Sequence, residues 1–129
     1  MRVAYPPYMP GIWRIELVET QDADLSFIQR CVRAGRLLWT YHVNMRLVER
    51  GVSRSMVVES VDLYSIIEHY PRNLTSHYLP SCLVYSEHRG IPIHILFAID
   101  KEGDTVRVIT VYKPSPTQWV PGFLQRRKP

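Results

Sequence analysis

Two hydrophobic periods divide the chain. Between Asp22 and Val61 the apolar residues recur every three or four positions, whereas from Ser65 to Tyr112 they come in β-branched and aromatic runs broken by turn residues. In "DADLSFIQRCVRAG", Leu25, Ile28 and Val32 keep helical spacing with Phe27 and Cys31 beside them. Acidic residues occupy the first turn and Gly35 follows the end, so the segment predicts a helix over about 23 to 34. Thr40 can cap the free amides of a second helix, about 41 to 50, which Gly51 can close in a left-handed conformation. Ser53 caps a third, to about Val61, with Met56, Val57 and Val61 facing inward.

The β half begins at "SIIEHY", 65 to 70, which Pro71 ends. "SCLVYSE" (81 to 87), "IPIHILFAID" (91 to 100) and "TVRVITVY" (105 to 112) follow as a meander through the hairpin turns "HRG" and "KEGD". Helices followed by an antiparallel sheet of four strands make an α+β domain over residues 22–129. Ahead of it, residues 1–21 form an amino-terminal arm, because Pro6, Pro7, Pro10 and Gly11 prevent a helix in the first thirteen residues. Behind it, "KPSPTQWVPGFLQRRKP" has three prolines by Pro121 and reads as an extended tail with a basic end.

Composition narrows this little further. A chain of 129 residues, 46% apolar and 22% charged, suits one domain with one core. It has no apolar run of membrane-spanning length and no secretory signal, so a soluble, cytoplasmic protein without a membrane partner is expected, and "NLT" at Asn73 to Thr75 is an accidental glycosylation match. Cys31 and Cys82 stand far apart and outside any CxxC or Cys/His ligand spacing. They read as two buried small hydrophobes, with neither a disulfide framework nor a zinc site, and no metal or cofactor is expected. A net charge of +4 permits contact with nucleic acid or an acidic partner without requiring either.

Candidate chemistry starts at "TYHVNMRLVERGVS". His42, Arg46 and Arg50 recur every four residues and spread over about 80° of helix, in a row about 12 Å long. Tyr41, Met45 and Val48 lie on one side of that row and Val43 and Leu47 on the other, so the row is expected at the edge of a packed groove. Such a stripe can bind an anion with an imidazole at one end. The plainer alternative pairs Arg46 with Glu49 and leaves His42 bonded to a carbonyl.

His94 is the second unusual residue, set among apolar neighbours. Alternation sends Ile93, Ile95, Phe97 and Ile99 to the helix side and His94 to the open face, while Val106, Val108, Thr110 and Tyr112 share a face of the next strand. A five-residue turn pairing Ile99 with Thr105 would set His94 opposite Thr110 and a four-residue turn would not, so register decides. A buried, hydrogen-bonded histidine is the plainer reading. With His42 or His94 near Arg46, Arg50 and Tyr112, the set would suit metal-independent phosphoryl transfer from RNA: imidazole moves the proton and arginine stabilises the charged phosphorane. Arg89, in the "HRG" turn, and Arg126, Arg127 and Lys128, after Trp119 and Phe123, could grip a nucleic-acid backbone, or the tail could be no more than a solvated basic end.

"HVNMRLVERGVS", "RGIPIHILFAID" and "VITVYKPSPTQW" ending in "RR" together resemble the bacterial domain of unknown function 4258 over about residues 23 to 127. The family shows a His, Arg and Glu-Arg-Gly helix, a Pro-x-His strand and a closing Thr-x-Tyr strand with Trp and basic residues after it; here Val43 stands where Ala is common and Leu47 where Met is usual. The resemblance implies a fold similar to the RelE/ParE toxins, some of which cleave messenger RNA on the ribosome while others poison gyrase or are inert. Two readings follow: a RelE-like protein that binds RNA, or the ribosome, and cleaves it as a messenger-RNA interferase does, or a non-catalytic module that binds a small antitoxin-like chain or a second copy of itself. Tyr5, Tyr8 and Trp13 of the arm fit the second.

Overall fold

The computed structural model of the chain describes residues 11–71 and 79–128, with side chains from Gln21 onward. The first ten residues of the arm and the Asn73 to Thr75 motif lie outside the described residues.

The first helix, α1 (Gly11–Arg33), begins well before the expected residue 23. Pro10 is the last proline of the arm and Gly11 takes the first helical position, so nothing after it breaks the ladder. Gly35, at φ 73°, closes the helix: its N–H donates to the Val32 carbonyl at 3.2 Å and that of Arg36 to the Cys31 carbonyl at 2.8 Å.

β1 (Leu37–Trp39) was not foreseen, since three residues carry no readable period. It pairs in parallel with β5 (Thr105–Tyr112), Leu37 beside Val106 and Trp39 beside Val108. The remaining strands, β2 (Ser65–Tyr70), β3 (Ser81–His88) and β4 (Ile91–Asp100), fall where the sequence puts them. The sheet thus has five strands in the order β1-β5-β4-β3-β2, mixed at one edge, in place of the expected four antiparallel strands.

α2 (Tyr41–Leu47) is capped by Thr40, whose hydroxyl accepts from the Val43 N–H at 3.2 Å, and closes through Gly51 at φ 64° with Val52 N–H donating to the Leu47 carbonyl. α3 (Arg54–Glu59) starts at the expected cap, Ser53, and runs into a single 3-10 turn, Val61–Leu63. The helices cover one face of the sheet, where Ile28, Val43 and Val57 meet Ile95, Phe97 and Val108 in the main core. Among the described residues no helix is long and apolar enough to cross a membrane.

Two bulges set which side chains face the helices. In β5 the register slips between Leu96, opposite Thr110, and Phe97, opposite Val108, so Ile109 is the extra residue. Val106, Val108 and Val111 therefore point into the core, and Thr110 and Tyr112 leave the face they were expected to share with the first two valines. The turn has four residues, pairing Asp100 with Thr105, so His94 does not face Thr110 as a five-residue turn would have had it; with the bulge it stands opposite Tyr112. In β2 a shift at Ile67 lets Ile67 and Glu68 both face away from the helices and turns His69 inward, opposite Cys82.

The outer face is not open, and the tail is not extended. Trp119 N–H donates to the Ser115 carbonyl, Val120 N–H to that of Gln125, and Arg127 N–H to that of Gln118, a hairpin-like fold that turns at Gly122 and Phe123. It lays Trp119, 1% exposed, on Ile67 and Leu83, with Tyr85, Leu96 and Phe123 around them. An apolar sheet face needs a second layer, and the tail supplies it. Arg126 holds the cap down, its guanidinium 4.7 Å from the Trp119 ring centre and bonded to both Glu68 oxygens at 2.6 and 3.0 Å.

Candidate functional site

α2 crosses the edge of β5 just beyond the end of β1. The capped first turn starts the helix at Tyr41, and the four-residue spacing then turns His42, Arg46 and Arg50 to one side. With Val43 and Ile109 to Val111 they line a cavity of ≈ 270 Å³. β1 stops at Trp39, opposite Val108, so among the described residues no strand continues along this edge. Arg50 fills the place: its Nη1 donates to Thr110 Oγ1 at 2.9 Å and to the Val111 carbonyl at 3.0 Å.

A second cavity, ≈ 580 Å³, is lined by Arg50, Thr110, Tyr112, Lys113, Ser115 and Gln118, and shares Arg50 and Thr110 with the first. A third, ≈ 370 Å³, runs from Gln118 past Thr117 to Arg126, Arg127 and Lys128. The three cavities follow one another along β5 and the tail, Gln118 bordering both the second and the third. Among the described residues His42, Arg46, Arg50, Lys113, Arg127 and Lys128 have no carboxylate within ion-pair distance, and the Arg46 to Glu49 pair does not form. Uncompensated arginines and lysines on a concave wall concentrate positive potential where an anion would lie.

Tyr41 and Met45 on α2 and Val48 just after it, expected beside a packed groove, are instead exposed, Val48 to 87%. Arg89 stands apart at the exposed β3–β4 turn, at φ 52°. Arg126 is held by Glu68 and Trp119, and Arg127 Nε donates to the Pro116 carbonyl at 2.7 Å, so the basic end is tied to the body. Lys113, Ser115 and Gln118 escaped the sequence reading. Lys113 follows Tyr112 within the quoted "VYKPSP" run, and its position there was the available signal.

His94 lies behind the groove. It is 0% exposed, with Trp119 edge-on at 4.3 Å and the Tyr112 and Tyr85 rings at 5.2 and 6.0 Å. Nε2 lies 2.8 Å from the Phe123 carbonyl, which can only accept, so Nε2 carries the proton and Nδ1, 3.2 Å away, accepts from the Tyr112 hydroxyl. Burial lowers the His94 pKa, and burial pushes the Tyr112 phenol up to about 12. Tyr112 thus joins the groove wall to a neutral imidazole that orients it, and His94 cannot reach a substrate there.

That burial has a measurable consequence. A histidine whose folded pKa is depressed contributes stability that is complete above its unfolded value, about 6.5, and is lost as pH falls toward the folded value. The groups facing His94 are Tyr112, Tyr85, Glu68 and Arg126. Glu68 is also depressed: burial alone would raise it, but hydrogen bonds from Arg126 and Tyr70 outweigh that, so it titrates lower still. The melting temperature should therefore fall between pH 7 and pH 5, and His94→Gln should flatten the fall. An equal slope in the variant would place the proton uptake elsewhere.

A sheet with helices on one face, a folded tail on the other and a row of basic side chains at one edge defines an α+β protein. The family model for the Domain of unknown function (DUF4258) matches residues 39–113, and the chain belongs to that family. The match runs from the last residue of β1 to Lys113 and takes in the α2 stripe and β5, leaving α1 and the tail cap outside it. Comparisons with curated proteins and with solved structures found no match.

Proposed function

We propose that this protein binds single-stranded RNA along the α2–β5 groove and that His42 acts there as a proton acceptor in cleavage of the strand. The observation that carries the reading is the groove itself, where His42, Arg46, Arg50 and Lys113 line one continuous wall without carboxylate partners among the described residues. Arg46 and Arg50 suit adjacent phosphate oxygens, and Tyr41, exposed beside His42, offers a ring on which a base can stack.

In such a step His42 takes the proton of a 2′-hydroxyl, whose oxygen attacks the neighbouring phosphorus. The 5′-oxygen leaves and takes a proton from water, giving a 2′,3′-cyclic phosphate; arginine stabilises the charge that builds on the phosphorane. His94, expected as a possible proton carrier, has no part in this. Tyr112 and His94 shape the wall.

Fluorescence anisotropy with a labelled mixed-sequence single-stranded RNA tests the binding. Arg46→Ala should weaken it about tenfold and reduce the dependence of log K on log salt by about 0.7, the value of one single-strand phosphate contact, whereas Arg89→Ala should change neither. Equal affinities for wild type and Arg46→Ala would remove the groove from the reading. In EDTA, cleavage by wild type and none by His42→Ala would establish the chemistry.

A second reading has its own observation. Tyr41 and Met45 of α2 and Val48 just after it recur at helical spacing and stand exposed, as they would in a module that docks a small antitoxin-like chain or a second copy. Met45→Glu would abolish that docking while sparing RNA binding.

A further inference from the structure

Away from the groove, at the opposite edge of the sheet, α1, β2 and β3 bring three metal-ligating side chains together. We propose that Asp24, His69 and Cys82 form a binding site for a zinc ion or a cation of similar character. Their ligand atoms all lie within 4.8 Å of one another, and all three come from the helix side of the sheet. The inward turn of His69 is the work of the β2 bulge, which sets it opposite Cys82. Asp24 is 4% exposed and its Oδ2 lies 3.1 Å from His69 Nε2.

The donor set decides the metal. Thiolate, imidazole and carboxylate suit zinc, whereas magnesium and calcium prefer oxygen alone. Zinc bonds of about 2.0 to 2.3 Å in a tetrahedron put neighbouring ligand atoms about 3.5 Å apart, so ligand atoms within 4.8 Å of one another have to close by no more than about 1.3 Å. Coordination breaks the Cys82 S–H bond and releases its proton to solvent; no electron is transferred. Two anionic ligands and a neutral imidazole then cancel the charge of a divalent cation, which suits an enclosed position.

A second observation points the same way. Gln21, one turn before Asp24 on α1, is 1% exposed, and neither its amide oxygen nor its nitrogen has a hydrogen-bond partner among the described residues. Side chains three apart on a helix are neighbours, so the Gln21 oxygen can supply a fourth ligand or bond a metal-bound water. Lys101 holds Asp24 Oδ1 at 2.9 Å, but its side chain is more than half exposed and can release the carboxylate to water. The same three residues in the same order could suggest a cysteine nucleophile with a His and Asp pair. Cys82 is fully buried and its thiol is pushed up to about 12 by burial, so no substrate reaches it and little thiolate forms without a metal.

Cobalt is the probe. The full chain, stripped with EDTA and dialysed, is titrated with Co²⁺ and read by absorption, then competed with Zn²⁺. One equivalent should give a thiolate-to-cobalt band in the near ultraviolet with the intense visible bands of a tetrahedral site, and zinc should bleach both. Cys31→Ala should keep the spectrum, and Cys82→Ser should lose the near-ultraviolet band with at least tenfold weaker binding. Absence of stoichiometric binding by the wild type, binding without the thiolate band, or loss of that band in Cys31→Ala would each overturn the site. The wild-type titration decides even where Cys82→Ser does not fold.

Discussion

Trp119→Ala should destabilise the protein by about 3–5 kcal/mol, the cost of deleting a large buried aromatic whose surroundings cannot collapse into the space. Trp119 covers Ile67 and Leu83, meets His94 edge-on and carries the Arg126 guanidinium on its other contact. Removing it uncovers the outer face of three strands and releases the tail beyond Lys113. The main core on the helix side shares none of these contacts, so urea denaturation should show a lower midpoint with the α+β circular dichroism of the folded state retained at zero denaturant. Because burial is what lowers the His94 pKa, an NMR titration of its imidazole in the variant should also move toward the ordinary value near 6.5. A change below 1 kcal/mol, with the His94 titration unmoved, would mean that the tail is not the second layer of this fold.

Asp24→Ala should cost about 2–3 kcal/mol when measured in EDTA, where any bound metal is absent. Deleting one member of a fully buried pair costs more, about 3–5 kcal/mol, but Lys101 can turn to water and only His69 is left without its partner. The Asp24 carboxyl reflects the same balance: burial by itself would raise its pKa, and hydrogen bonds from His69 and Lys101 together with their charge overcome that and hold it below the usual carboxylate value. Asp24→Asn keeps an acceptor in place and should lose roughly half as much. A stability equal to wild type for Asp24→Ala, by urea denaturation at pH 7, would show that the pair only offsets its own desolvation.

The groove and the metal-ligating cluster lie at different edges of one sheet and draw on different residues. Arg46→Ala should leave the cobalt spectrum unchanged and Cys82→Ser should leave RNA affinity unchanged, so failure of either proposal does not disturb the other.

Much of this protein was legible in the chain alone, where the controlling interactions are local. Thr40 and Ser53 accept from the amides three residues on, Gly35 and Gly51 take positive φ at helix ends, and the β-branched runs from Ser65 to Tyr112 form strands at the expected positions. The stripe of His42, Arg46 and Arg50 follows from helical geometry and needs no partner to define it. Three features needed the tertiary structure. β1 exists because β5, almost seventy residues away, offers it a ladder, and three residues alone cannot announce that. The bulges at Ile67 and Ile109 each reverse the inward and outward alternation of a strand, placing His69 beside Asp24 and Tyr112 opposite His94, and a bulge is set by strand pairing that no local pattern records. The tail folds because an apolar outer face was waiting for Trp119, and that face sealed His94 away from the groove it had been expected to serve. Local backbone chemistry therefore determined the elements and the basic stripe, and contacts between distant segments determined which side chains share a site, because burial and register are properties of the assembled layers.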